Sequence, residues 1–184
     1  MKIQPKNEKL PAKFRTLVLL TLMPFVVWGC SGISPARIAP KPSSSAMKLG
    51  GTVRVADVTG GKKSTFGGAE MINNDQFKKA LILALQQSGL FDEVSADHGD
   101  LDLNATIRSE DQKTSRGLQY TATMVVSYKF VDHAGKTAWS GSYDSEFSSV
   151  AFSGAARTVE AREGSARENL ASLINGIREC DPPV

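Results

Sequence analysis

Leu118-Gln119-Tyr120-Thr121-Ala122-Thr123-Met124-Val125-Val126-Ser127-Tyr128-Lys129-Phe130 alternates large apolar residues with mostly polar ones along its whole length. A period of two over such a stretch describes a β-strand with one buried and one solvated face. The same pattern lies on both sides of it. Upstream, Leu101, Leu103, Ala105 and Ile107 alternate with Asp102, Asn104, Thr106 and Arg108. Downstream, Trp139, Tyr143 and Phe147 share a face, opposite Ala138, Ser140, Ser142, Asp144 and Glu146. Asp132-His133-Ala134-Gly135 is a turn that joins the last two strands as a hairpin. Pairing Val131 with Lys136 places Tyr128 opposite Trp139, Met124 opposite Tyr143 and Tyr120 opposite Phe147. That register sets large side chains beside one another on the buried face.

Working outward, Thr52 to Val58 reads as a further strand with Val53 and Val55 on one face. A long glycine-bearing loop follows, from Thr59 to Ile72. Asn73 and Asn74 are helix N-cap types, and Gln76, three after Asn73, completes a capping box. Phe77, Leu81, Ala84, Leu85 and Ser88 keep helical spacing up to Gly89, a C-cap residue. Phe91 to Val94 adds a short extended piece. A second helix runs from Arg157 to Arg178, with Ala166, Leu170, Leu173, Ile174 and Ile177 as its buried stripe. On it Glu163 precedes Arg167 by four residues, the favourable order for a helical ion pair. The order β-α-β-β-β-α predicts an α+β two-layer sandwich: an antiparallel four-stranded sheet with two helices on one face.

The N-terminus has a different character. Lys2, Lys6, Lys9, Lys13 and Arg15 precede an apolar run from Leu17 to Trp28 of about 12 residues, well short of the roughly 20 that span a bilayer. A basic flank, a short apolar run and then Gly29-Cys30 mark a secretory signal. Val27-Trp28-Gly29-Cys30 resembles the lipobox of bacterial lipoproteins. The resemblance implies diacylglycerol on the Cys30 thiol and a palmitate-type chain on its freed amine. Ser31 in the following position implies sorting to the outer membrane. The predicted organisation is a signal peptide over 1–29, a lipidated Cys30 with a Pro/Ser-rich tether over 30–46, one domain over 47–180, and a disordered tail over 181–184.

Composition narrows the functions. The chain has 22 Lys and Arg against 19 Asp and Glu, but residues 1–29 hold five of the former and one of the latter, leaving 17 basic and 18 acidic residues after the cut. A mature part near −1 has no electrostatic footprint for nucleic acid. With Cys30 committed to lipid, Cys180 has no intrachain partner. Serines are many, yet no His-acid set accompanies one, so a hydrolase triad is unsupported. Thr59-Gly60-Gly61-Lys62-Lys63-Ser64-Thr65 lacks phosphate-loop spacing, because Ala56 stands where the first glycine belongs. His133 lies in the hairpin turn as a solvated residue. Asp97-His98-Gly99-Asp100-Leu101-Asp102 gathers three carboxylates and an imidazole, a candidate metal turn weighed against a plain polar one. The residues imply no cofactor, no resident metal and no catalytic group.

Val58-Thr59-Gly60-Gly61, Ile72-Asn73-Asn74 with Phe77 and Ala80-Leu81, Tyr128-Lys129-Phe130-Val131-Asp132, and Glu163-Gly164-Ser165-Ala166-Arg167-Glu168-Asn169 resemble segments of small uncharacterised Gram-negative envelope lipoproteins. In element order the chain is also similar to the YajG-like and lipopolysaccharide-assembly (LptE-like) lipoproteins. These resemblances imply a membrane-anchored, periplasm-facing, non-enzymatic accessory or assembly subunit. Its partners would be membrane lipid through Cys30 and an envelope protein or glycolipid. The expected contact surface is Gly60, Gly61, Lys62 and Lys63 together with the flank of the second helix at Arg162 and Arg167. The alternative is a small-ligand or metal-binding domain, even a catalytic one, that uses the Asp97–Asp102 turn or the Lys62/Lys63 loop.

Overall fold

A computed structural model of the chain describes residues 32–42, 47–63, 70–114 and 119–180, with the side chain of Cys180 excepted. The expected signal peptide, Cys30, residues 43–46 of the expected tether, Gly67, Gly68, Leu118 and the expected tail lie outside the described residues. In chain order the elements are α1 (Pro35–Ile38), β1 (Thr52–Thr59), α2 (Asn74–Ser88), β2 (Glu93–Ser95), β3 (Leu101–Thr114), β4 (Tyr120–Asp132), β5 (Thr137–Ser149) and α3 (Gly154–Cys180).

The strands form one five-stranded sheet in the order β2-β1-β3-β4-β5. Alternation is obeyed where it was strongest: Ala122, Met124, Val126, Tyr128 and Phe130 of β4 are all buried, as are Leu101, Leu103, Ala105 and Ile107 of β3. The core is one cluster between this face and α2 and α3, so the α+β class holds, while the expectation of two helices missed the short α1, whose Ile38 joins that core. The expectation of four antiparallel strands does not hold. β1 runs parallel to both of its neighbours, β2 and β3, and only β3, β4 and β5 are antiparallel. The reason is topological: α2 returns the chain to the starting end of β1, so the strands that follow begin beside its first residues. The short piece near Phe91 to Val94 becomes the edge strand β2.

α2 starts as its cap predicts. The Asn73 side chain accepts from the Gln76 N–H at 2.8 Å, and the Gln76 side chain accepts from the Asn73 N–H at 3.1 Å. Gly89 ends the helix in the left-handed region at φ 64°.

The hairpin register differs from the expected one by two residues. Phe130 pairs with Trp139, Tyr128 with Gly141, Val126 with Tyr143 and Ala122 with Phe147. The turn closes with Asp132 N–H donating to the Lys136 carbonyl at 3.0 Å, and an irregularity next to Val131 takes up one more residue. A shift of two preserves the faces, so Trp139, Tyr143 and Phe147 stay on their predicted side, while Ala138, expected on the solvated face, packs against the core beside the irregularity. Aromatic contacts arise along and across the pair: Phe130 meets Trp139 at 5.7 Å between ring centroids, and Tyr128 meets Tyr143 at 6.2 Å.

α3 lies on β4 and β5. Its Gly164 faces the Phe147 ring and its Gly176 the Tyr143 ring, and a Cβ at either position would collide with the ring or its hydroxyl. These two glycines let the helix sit directly on the aromatic row of β5. Replacing Gly176 with Ala therefore overpacks a close contact and is expected to cost about 1–3 kcal/mol. An exposed helical glycine would show the opposite sign, since Ala there commonly stabilises. Urea unfolding decides between them, and a stability gain in Gly176→Ala would refute the close seat of α3.

Candidate functional site

The residues expected to form a contact surface occupy two environments. Lys62 and Lys63 are exposed, on the segment that leaves β1. Gly60 takes φ 84° beside the Ile107 carbonyl, and the Gly61 N–H donates to Asn74 Oδ1 at 2.7 Å, so both glycines shape the backbone. Arg162, expected on an exposed flank, is buried at 5 % exposure and ion-paired with Glu110, itself buried. Its side chain is therefore not part of a surface. The helical stripe turns out wider than its apolar residues, because Arg162, Glu163, Ser165 and Asn169 are buried as well.

Glu110 joins the loop to the helix. Lys62 N–H donates to the Ile72 carbonyl at 3.2 Å, Ile72 N–H points to Glu110 Oε1 at 3.4 Å, and Glu110 pairs with Arg162. Arg162 Nη2 also donates to Gln112 Oε1 at 3.1 Å. Burial pushes the Glu110 carboxyl above its usual range, opposed by the Arg162 guanidinium. Its second oxygen, Oε2, is buried without a hydrogen-bond partner, which adds to the cost of the charge. Sequence reading missed Glu110 because the inward parity of β3 changes. Odd residues point inward from Leu101 to Ile107; a register shift before Ser109 then turns Glu110 inward. No sequence pattern marked the change; the strand runs past its expected end at Arg108 to Thr114.

One residue on, Glu163 serves a different element. It accepts from the Ser34 N–H at 2.7 Å and pairs with Arg37, whose Nε lies 2.7 Å from Oε2. The expected Glu163–Arg167 helical pair is replaced by this contact, and Arg167 Nε donates to the Arg37 carbonyl at 2.9 Å instead. Ile33 N–H donates to Glu70 Oε1 at 2.8 Å, and Gln76 Nε2 donates to the Ile33 carbonyl at 3.2 Å. Ile33, Ile38 and Ala39 are buried. The Pro/Ser-rich stretch read as a loose tether therefore contributes, in residues 33–39, to the core between α2 and α3. Its apolar residues, two isoleucines among prolines, were the overlooked signal.

Asn169, fully buried, fastens α3 to the strands. Its Nδ2 donates to the Tyr143 carbonyl at 2.8 Å, and its Oδ1 accepts from the Tyr128 hydroxyl at 2.7 Å. Burial raises the Tyr128 phenol well above its ordinary value, so the hydroxyl stays a donor.

The Asp97–Asp102 turn has a structural occupation. After β2 the chain passes over β1 to reach β3, and Gly99 packs so closely on the Val53–Arg54 backbone that a Cβ would collide with it. Asp100 accepts from the Thr52 hydroxyl at 2.7 Å, Asp102 pairs with Arg54, and His98 Nε2 lies 2.8 Å from Glu93 Oε1. Arg54, by hydrogen bond and charge, holds the Asp102 carboxyl below its ordinary range. Among the described residues, no group of three or more His, Cys, Asp or Glu side chains is arranged to hold a metal ion. Nor is any described helix long and apolar enough to cross a membrane.

A family model described as "LptE: Lipopolysaccharide-assembly" matches residues 70–175, from just before α2 to the last turns of α3. Among solved structures, the chain is similar to a protein of family DUF330 from Xanthomonas campestris, at 15 % identity and TM-score 0.56, covering 74 % of this chain and 88 % of that one. It is also similar to the PelC dodecamer protein of Paraburkholderia phytofirmans, at 15 % identity and TM-score 0.41, covering 70 % and 92 %. A minor lipoprotein from Acinetobacter baumannii aligns at 14 % identity and TM-score 0.40, covering 71 % and 90 %. The first of these likenesses supports the fold alone. No curated protein matches the chain.

Two outcomes follow from the buried and the exposed pairs. Arg162→Met strands the Glu110 charge and is expected to cost about 3–5 kcal/mol, most of which the added Glu110→Leu recovers. A double-mutant cycle by denaturant unfolding tests this, and a single variant as stable as wild type would contradict it. For Asp102, whose folded pKa is depressed, the stabilisation is present above the ordinary value of 3.8 and is lost as pH falls through the folded one. The stability gap between wild type and Asp102→Asn should therefore be open at pH 6 and close in acid. A gap of the same size at both ends of a pH series of urea midpoints would refute the pairing.

Proposed function

Because the chain belongs to the LptE lipopolysaccharide-assembly family, we propose that it is a non-enzymatic assembly subunit of the outer membrane, anchored through acylated Cys30 with its domain facing the periplasm. The observation that carries this reading is the family match itself, which spans both long helices and four of the five strands. Cys30 stands three residues before Ile33, whose N–H is bonded to Glu70, so acyl chains on it would hold the domain close to the bilayer. The working surface is the exposed Lys62 and Lys63 with the partly exposed Arg167; Arg162 acts from inside, holding Glu110 and with it the base of the lysine segment. Paired lysines beside a rigid backbone suit the phosphate groups of a glycolipid, or an acidic face of an envelope protein.

Affinity purification of the tagged, acylated chain from detergent-solubilised envelopes tests the proposal, with Cys30→Ala as control. The expected result is lipopolysaccharide or a stoichiometric envelope protein with the acylated chain, reduced in Cys30→Ala and in Lys62→Glu/Lys63→Glu. Recovery of neither from the acylated chain would refute the assembly role.

A further inference from the structure

The two edges of the sheet are unlike. β2 is a strand of 3 residues, and short edge strands are one way a sheet avoids pairing with other chains. β5, at the other edge, is 13 residues long and contains no proline, lysine or arginine. Among the described residues no strand pairs with its outer side. Its inward row is also incompletely covered. Phe130, Val126 and Ala122 of β4 are buried, whereas their partners Trp139, Tyr143 and Phe147 on β5 are only half-buried.

Read outward from Tyr143, the strand has nearly the same pattern in both directions. Aromatic residues stand four positions away on each side, at Trp139 and Phe147, and small residues two away, at Gly141 and Ser145. On the solvated face Ser142 and Ser140 on one side correspond to Asp144 and Glu146 on the other. Such a strand is complementary to a second copy of itself run antiparallel about a two-fold axis at Tyr143. Trp139 of each copy then meets Phe147 of the other, the two Tyr143 residues meet on the axis, and each Gly141 meets a Ser145. On the solvated face Asp144 meets Ser142 and Glu146 meets Ser140. Every carboxylate thus faces a hydroxyl donor, and no like charges are opposed. A register centred on Asp144 would set that residue against its own copy, and one centred on Ser145 would set Asp144 against Glu146. The close and the wide pairs of an antiparallel ladder are both symmetric, so an axis at Tyr143 suits either direction of its N–H and C=O. The Tyr143 carbonyl accepts from Asn169 Nδ2 and keeps a second lone pair.

We propose that β5 is a dimerisation strand that pairs with β5 of a second copy in the register centred on Tyr143, joining the two into one sheet of ten strands, five from each. The axis stands normal to the sheet, so the helices of both copies remain on one face. The aromatic row that α3 covers in part is completed by the row of the second strand. Pairing also removes the one long edge that the fold leaves open. The inference goes beyond the assembly reading and depends neither on it nor on the acylation of Cys30.

Sedimentation equilibrium of the full chain in density-matched detergent tests it, with urea midpoints to show that each variant folds. The wild-type chain is expected to have the mass of two copies and to dissociate on dilution. Ser142→Asp sets carboxylate against carboxylate at Asp144 of the second copy, twice in the symmetric pair, and should weaken the dimer about tenfold. The exchange Ser142→Asp/Asp144→Ser restores an acid facing a hydroxyl and should return the dissociation constant to that of wild type. Both positions lie on the solvated face, so the monomer is expected to unfold as before. A single-copy mass throughout the concentration range would overturn the proposal. So would an association that ignores Ser142→Asp, or one that the exchange fails to restore.

Discussion

The close seat of α3 on the aromatic row of β5 is the constraint on which the rest of the structure depends. Gly164 above Phe147 and Gly176 above Tyr143 bring helix and strand together at a distance no larger residue permits. Only at that distance does Asn169 reach two strands at once, taking the Tyr128 hydroxyl from β4 and the Tyr143 carbonyl from β5. Buried polar groups are costly unless satisfied, and here the spacing set by two glycines satisfies them.

From that seat the helix extends in two directions. Arg162 reaches toward the sheet to Glu110 and so braces the segment that leaves β1. Glu163, one residue later, reaches away from it and binds the backbone and side chain of the N-terminal segment. Adjacent helical positions point about 100° apart, which is why neighbours in sequence serve two different elements. A buried ion pair is weak evidence for net stability, since desolvation opposes attraction. Its observable effect here is placement: it ties the base of the lysine-bearing loop to the same helix that captures the N-terminal segment.

Much of this was legible in advance. The capping box at Asn73 and Gln76, the end of α2 at Gly89 and the buried faces of β3 and β4 depend on local geometry, which a few neighbouring residues dictate. The hairpin was readable in its faces and not in its register. Alternation is indifferent to a shift of two, and the turn at Gly135 with its adjoining irregularity made the choice. Of the expected contact residues, Lys62 and Lys63 are where solvent access was anticipated. Arg162 is not, because charge suggests exposure only until a buried carboxylate is available, and Glu110 became available through a bulge that no pattern announced.

The two long helices, the buried faces of β4 and of β3 up to Ile107, and the α+β class could be read from the chain alone, since each follows from residues close together in it. The tertiary structure alone decided the parallel pairing of β1, the passage over it at Gly99, the inclusion of Ile33 and Ile38 in the core, and the burial of Arg162. Those outcomes depend on contacts between residues tens of positions apart. They exist only once the helices have been laid on the sheet, and their energies of desolvation and close packing have no local signature.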